Sequence, residues 1–249
     1  MKPFRQAVKS LIQRLGYTCR ATSSLPVGAD LFLDLRRLSL EPRDTIFDVG
    51  ANVGQTGAAL RTVYPKPRIY CFEPSPETFK TLVQNCKGKD IIALNMAVGS
   101  SVGTEQMCAE KDSCLNSLVP QLNVSSARTS QVSVAVTTLD RFCEERGVER
   151  IDLLKTDTEG YELEVLKGAT RLLREKRVRA IYVECAIQAT PRHVSVTDLL
   201  GFLKDYGFQL HGLYEQSFYT PSPPGPGYRG DPSSSPFFFC NALFVTEVV

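Results

Sequence analysis

The segment Thr45-Ile46-Phe47-Asp48-Val49-Gly50-Ala51-Asn52-Val53-Gly54 restricts the folds open to this chain more than any other. A short, largely apolar run breaks into glycines at Gly50, Gly54 and Gly57. A second apolar run, Arg68-Ile69-Tyr70-Cys71-Phe72, ends in Glu73, nineteen residues beyond Gly54. Strand, glycine turn, helix, strand, acid is the layout of a nucleotide-binding βαβ unit. The glycines let backbone amides approach a ligand, and the acid can hold a ribose.

The remaining pattern extends that unit. Helices are expected over Gln55–Val63, ending near Pro65 and Pro67, and from Ser75 as N-cap with Pro76 at the first position. Further strands read as Ile91–Val98, Ile151–Thr156, Val178–Val183, Phe208–Leu213 and Ala242–Val248. Helices are expected at Leu139–Cys143, Glu162–Arg174 and Thr197–Tyr206, the last closed by Gly207. Residues 100–133 are polar and irregular and read as short strands or a hairpin on the sheet edge. The Pro-, Gly- and Ser-rich stretch Pro221–Pro236 reads as a loop or lid. Alternation of this kind predicts one α/β domain: a mostly parallel seven-stranded sheet, helices on both faces, and an antiparallel last strand. Residues 44–249 form that domain, and residues 1–43 an N-terminal helical cap whose amphipathic stretch Phe4–Leu15 packs on the domain edge. Ligands in such sheets bind at the carboxyl ends of the strands. Asp48, Glu73, Ala97, Asp157 and Glu184 all fall there.

Composition removes several function classes. With 249 residues and a net charge of +2, the chain lacks the basic footprint of a nucleic-acid binder. None of its eight cysteines forms a C-x-x-C pair, which argues against structural zinc. With no signal peptide pattern, free buried thiols in the cytoplasm are expected. No apolar stretch approaches the ~20 residues of a membrane helix, so no stable membrane insertion is expected.

The ligand follows from departures in the glycine turn. Asn52 stands where a dinucleotide turn favours a second glycine, which disfavours close approach of a pyrophosphate. A carboxylate such as Asp48 would repel a phosphate and pair with an ammonium. S-adenosylmethionine carries an α-ammonium and no phosphate, and Glu73 suits its ribose. The second constellation is Lys155-Thr156-Asp157-Thr158-Glu159-Gly160-Tyr161-Glu162. Crowded carboxylates facing a cleft commonly carry a task, whereas Glu162 suits a helix start. Asp157, Glu159 and His193 are the candidate general bases, and His211 reads as structural. Asp157, Glu159 and Glu184 offer oxygen ligands for magnesium, yet nothing in the spacing demands a metal. An NAD(P)-dependent oxidoreductase and a non-catalytic adenosylmethionine-binding protein are the rival readings.

The pieces Phe47–Gly54, Cys71-Phe72-Glu73-Pro74, Asn95-Met96-Ala97-Val98-Gly99 and Lys155–Glu162 resemble the FkbM family of methyltransferases, in order and spacing. Val165–Ala169, Val183-Glu184 and Asn241–Val245 are similar too, so the resemblance covers roughly residues 44–249. It implies a Rossmann-like, S-adenosylmethionine-dependent enzyme that O-methylates a small-molecule or glycan acceptor. It implies that Asp48, Gly50, Asn52 and Gly54 hold the methionine part, Glu73 the ribose and Ala97 the adenine edge. Asp157 and Glu159 would then lie near the transferring methyl. The acid that many methyltransferases place by the adenine has no counterpart near Asn95.

Overall fold

The computed structural model describes residues 10–16, 20–109, 116–119, 130–190, 192–219 and 237–246. Strands β1 (Thr45–Val49), β2 (Arg68–Phe72) and β3 (Ile91–Leu94) pair in parallel. The next two strands, β4 (Ala97–Val98) and β5 (Gly103–Ala109), join β6 (Ser130–Thr137) in a separate three-stranded sheet. The main sheet continues through β7 (Ile151–Thr156), β8 (Val178–Ala186), β9 (Phe208–Tyr219) and β10 (Phe237–Thr246). Its order is β3-β2-β1-β7-β8-β10-β9, with β10 antiparallel to both neighbours. The expected seven strands and the antiparallel last strand are present.

Burial on two faces explains the near-continuous apolar strands. In β1, Ile46 faces one core while Phe47 and Val49 face the other. The first core also takes helices α1 (Leu31–Arg37), α2 (Gln55–Val63) and α3 (Pro76–Cys86), through Leu35, Leu60 and Leu82. The other takes α4 (Leu139–Arg146), α5 (Glu162–Lys167), α6 (Thr170–Arg174) and α7 (Val196–Leu203). There Phe47 meets Tyr70, Phe72 and Phe142 at centroid distances of 5.1, 5.4 and 5.6 Å. Such aromatic pairs contribute about 0.5–1.5 kcal/mol beyond area burial.

The chain enters β1 under a tether at the amino edge of the sheet. Asp152 of β7, 0% exposed, accepts from the amides of Arg43, Asp44 and Thr45 at 2.9, 2.7 and 3.3 Å. Arg150 pairs with its other oxygen at 2.9 Å. Burial by itself would raise the Asp152 pKa, but the three amides and Arg150 bring it below the ordinary carboxylate value.

Four expectations are corrected. The single strand at Ile91–Val98 is two, because the chain leaves the main sheet at Asn95, whose carboxamide donates to the carbonyls of Glu73 and Pro74. The single helix at Glu162–Arg174 is two, broken around Gly168. There the backbone passes so close to Gly99 that a Cβ would lie 2.0 Å from the Gly99 carbonyl oxygen. The hairpin expected on the edge of the main sheet forms the second sheet instead. Leu11 and Leu15 are 61% and 67% exposed, so the described end of the first amphipathic stretch does not pack on the domain edge. Residues 1–9 and the whole of Pro221–Pro236 lie outside the described residues. Ser75 caps α3 as expected, accepting from the Thr78 amide.

Candidate active site

The glycine turn is bound to the end of the neighbouring strand. The Gly50 and Ala51 amides both donate to the Phe72 carbonyl, at 3.1 and 2.9 Å. Gly50 has φ 77°, and a Cβ there would lie 1.8 Å from the Asp157 carbonyl oxygen. Only glycine fits between these two strand ends. Gly54, at φ 89°, caps α2 with no side-chain hydrogen bond to the helix's first amides. Asn52 takes φ 48°, a left-handed conformation that asparagine tolerates.

Glu73 closes this loop from beneath. Its two oxygens accept from the Asn52 amide at 3.0 Å and the Ser75 amide at 2.8 Å. Burial pushes Glu73 up to about 7 in spite of those bonds.

Asp48 departs from its expected place. It is 0% exposed and does not reach the wall of the cavity above the turn. The reason is register: Asp48 of β1 stands opposite Lys155 of β7, whose ammonium lies 3.1 Å from Asp48 Oδ1. Lys155 also reaches Asp157 Oδ2 at 3.3 Å and donates to the Gly50 carbonyl at 3.2 Å. Asp48 therefore positions Lys155, and of the two carboxylates that Lys155 joins, Asp157 is the one that lines the cavity.

The turn after β7 gathers the remaining acids. Carboxylate oxygens of Asp157, Glu159 and Glu184 lie within 4.8 Å of one another, a grouping that could hold a cation. Burial, then Asp157, pushes Glu159 up to about 7 and Glu184 up to about 9. Glu159 sits at φ 54°, with Arg192 3.7 Å from its carboxylate. Glu162 does more than start α5. It is buried and accepts from the Thr158 amide, the Thr158 hydroxyl and the Gly160 amide at 2.8, 3.0 and 3.2 Å, which shapes the turn from within. His193 lies behind the cluster, its Nε2 3.7 Å from Glu184 and its ring stacked on Phe239. Desolvation lowers its pKa, and it lines neither cavity described next.

Two cavities open at this edge. The first is lined by Gly50, Asn52, Glu73, Ala97, Asp157 and Glu159, with an apolar wall of Phe72, Met96, Val98, Met107 and Leu118. The second, about 480 Å³, lies between α1, the start of α2 and the strands β7 to β10. They share Gln55 and Asp157. The sequence does not announce Met107 and Leu118, because β5, which brings Met107 here, is polar ahead of it (Thr104-Glu105-Gln106). In the second cavity, Tyr182 lies within an expected strand, whereas Tyr214 and Asn241 fall just outside the expected strands Phe208–Leu213 and Ala242–Val248, which extend to include them.

The methyltransferase FkbM domain matches residues 48–210, more than half of the chain. Hexuronic acid methyltransferase AglP of Haloferax volcanii is 30% identical over 169 residues, covering 65% of this chain and 65% of that protein. The 2-O-methyltransferase NoeI of Sinorhizobium fredii is 28% identical over 182 residues, covering 68% and 72%. The 31-O-demethyl-FK506 methyltransferase FkbM of Streptomyces tacrolimicus is 27% identical over 159 residues, covering 53% and 61%. The chain thus spans 61% to 72% of the length of these relatives. This chain belongs to the FkbM family of methyltransferases.

Proposed function

We propose that this chain binds S-adenosylmethionine in the first cavity and methylates a hydroxyl oxygen of a sugar, glycan or related natural product held in the second. The observation that carries the reading is the meeting of the two cavities at Asp157. The donor set of the first cavity fits this cofactor. It pairs an apolar slot with three carboxylates, Glu73, Asp157 and Glu159, and has no lysine or arginine among its described lining residues. Such a lining repels a pyrophosphate and attracts an ammonium and a sulfonium, which weighs against NAD. Bound there, the cofactor supplies a methyl group on a positively charged sulfur.

The chain's own residues divide the remaining work. Each Glu73 oxygen already accepts one amide and keeps a second acceptor site for a ribose hydroxyl. Ala97, between Met96 and Val98, borders the adenine. Gly50 and Asn52 shape the wall beside the methionine part, and Asp157, steadied by Lys155, faces the ammonium. Gly54 turns the chain into α2 against Leu82 without lining that wall. Methyl transfer chiefly requires positioning, and a hydroxyl acceptor must also lose a proton. Glu159, held at about 7, is matched to that proton transfer at neutral pH. His193 acts through Glu184 as a positioning residue.

The relatives' names, with a hexuronic acid, a 2-O position and a 31-O position, support an oxygen acceptor of this kind. A net charge of +2 supports a small acceptor over a nucleic acid. No helix among the described residues is long and apolar enough to cross a membrane. The buried free thiols Cys71, Cys86, Cys108, Cys143, Cys185 and Cys240 support a cytoplasmic setting.

Calorimetric titration with S-adenosylmethionine, S-adenosylhomocysteine and NAD tests the cofactor. The first two should bind one per chain and NAD should not; binding of NAD alone refutes the reading. Transfer of labelled methyl to a panel of sugars and polyols then separates an enzyme from a non-catalytic binder.

A further inference from the structure

The second cavity has a chemistry of its own. Its volume, about 480 Å³, falls within the roughly 300–1,000 Å³ of small-molecule sites. Tyr182 and Tyr214 meet edge to face on its wall, 5.7 Å between centroids, and Phe32 lines it from α1. Three carboxylates also line it: Asp30, Asp157 and Glu215. Lys155 is the single cation among its described lining residues. That ammonium is committed to Asp48, Asp157 and the Gly50 carbonyl, which uses its three N–H donors. A ligand carboxylate would meet like charge here and find no cation in reserve.

Glu215 is held in place by unusual backbone. Pairing of β9 with β10 shifts between Ser217↔Phe239 and Tyr214↔Asn241, so Glu215 and Gln216 stand opposite Cys240 alone. At this bulge Glu215 takes φ 49°. A long side chain in that conformation persists only where its surroundings require it, and bulges beside active sites re-aim side chains. Asn241 Nδ2 donates to Glu215 Oε2 at 2.8 Å, fixing the carboxylate at the cavity.

We infer that the second cavity binds the methyl acceptor as a neutral, hydroxyl-rich ring, and that Glu215 is the residue that excludes rings bearing a carboxylate. Ionised carboxylates only accept hydrogen bonds, so they favour a ligand supplying O–H donors and disfavour one bringing its own negative charge. The aromatic wall adds apolar contact for a ring face. This assignment rests on the proposed methyl transfer, because it takes Asp157 as the point where donor and acceptor meet.

Saturation-transfer NMR tests it with S-adenosylhomocysteine bound. The probes are the methyl glycosides of glucose, mannose, galactose and rhamnose, with the hexuronates matching the first three. Neutral glycosides should bind, with uronates weaker by about threefold to tenfold, the discrimination that a like-charge contact with a solvent-exposed carboxylate gives. Glu215→Gln should raise uronate affinity and shrink that ratio. Ala59→Trp, on the α2 side of the cavity, should abolish the glycoside signal while leaving S-adenosylhomocysteine affinity unchanged. Equal affinity for the two classes, a preference for uronates, or no binding of any neutral glycoside overturns the inference while leaving the cofactor assignment standing. Failure of S-adenosylhomocysteine to bind wild-type protein overturns instead the reading on which it rests.

Discussion

Replacing Lys155 with methionine keeps most of the side-chain volume and removes the charge that joins β1 to the acidic turn. Lys155 is 5% exposed and Asp48 0%, so neither charge is relieved by water. Without the ammonium, Asp48 keeps a weak thiol contact from Cys71 at 3.8 Å, and its Oδ1 has no hydrogen-bond donor among the described residues. Stranding one member of a buried ion pair costs about 3–5 kcal/mol. In a domain of this size that corresponds to a fall in Tm of roughly 6–20 °C. Asp48→Asn should cost less, about 1–3 kcal/mol, because Lys155 keeps Asp157 and the Gly50 carbonyl. The double variant should be more stable than Lys155→Met alone, since it removes the stranded charge. Urea denaturation followed by circular dichroism measures all three, and calorimetry on the folded variants reads the accompanying loss of S-adenosylmethionine affinity. The reasoning fails if Lys155→Met lies within about 1 kcal/mol of wild type, or if Asp48→Asn is the more damaging change.

Gly50→Ala should lower stability by several kcal/mol and abolish cofactor binding, because its Cβ would fall 1.8 Å from a carbonyl oxygen at φ 77°; a Tm within about 2 °C of wild type contradicts this. Glu159 and Glu184 are raised from 4.5 to about 7 and about 9, so the folded state binds their protons more tightly than the unfolded chain. Stability should therefore fall as pH rises from about 4.5 through those values, and Glu184→Gln should flatten the decline between about pH 7 and 9. A melting series with no such change on substitution would refute the assignment. His193→Ala should leave S-adenosylmethionine affinity within about twofold of wild type, because the ring sits behind Glu184 and lines neither cavity. A weakening of tenfold or more, measured by calorimetry, would place it at the cofactor instead.

Where local chemistry decides structure, it could be read from the residues. The buried strand Thr45–Val49, the Ser75-Pro76 helix start and the Gly207 stop each follow from neighbours in sequence. The acidic trio was legible because Asp157 and Glu184 directly follow the paired residues Thr156 and Val183 of adjacent parallel strands. What escaped depends on distant partners. Nothing near Asp48 announces Lys155, more than a hundred residues away, so a carboxylate that looked free for a ligand is already paired. Gly168 reads as a tolerable helix residue until its approach to Gly99 is seen. The run Ile91–Val98 is apolar except at Asn95, and apolarity is the same signal in either sheet. Glu215 carries no sequence mark at all, because a bulge is set by the register of two strands.

Strand β7 is polarised from end to end. At its foot, Asp152 is held below the ordinary carboxylate value, so its contribution is present at neutral pH and lost as acid protonates it. Just past its head, the cluster around Asp157 has the opposite response, gaining stability as protons arrive. Taken by themselves, these two ends favour stability on the mildly acidic side. There Glu159, raised to about 7, is largely protonated and could not serve as the base proposed above. Under the base role proposed for Glu159, the conditions that favour these two ends are those in which the base is blocked, and a variant selected for heat resistance alone would drift toward silencing the acidic turn.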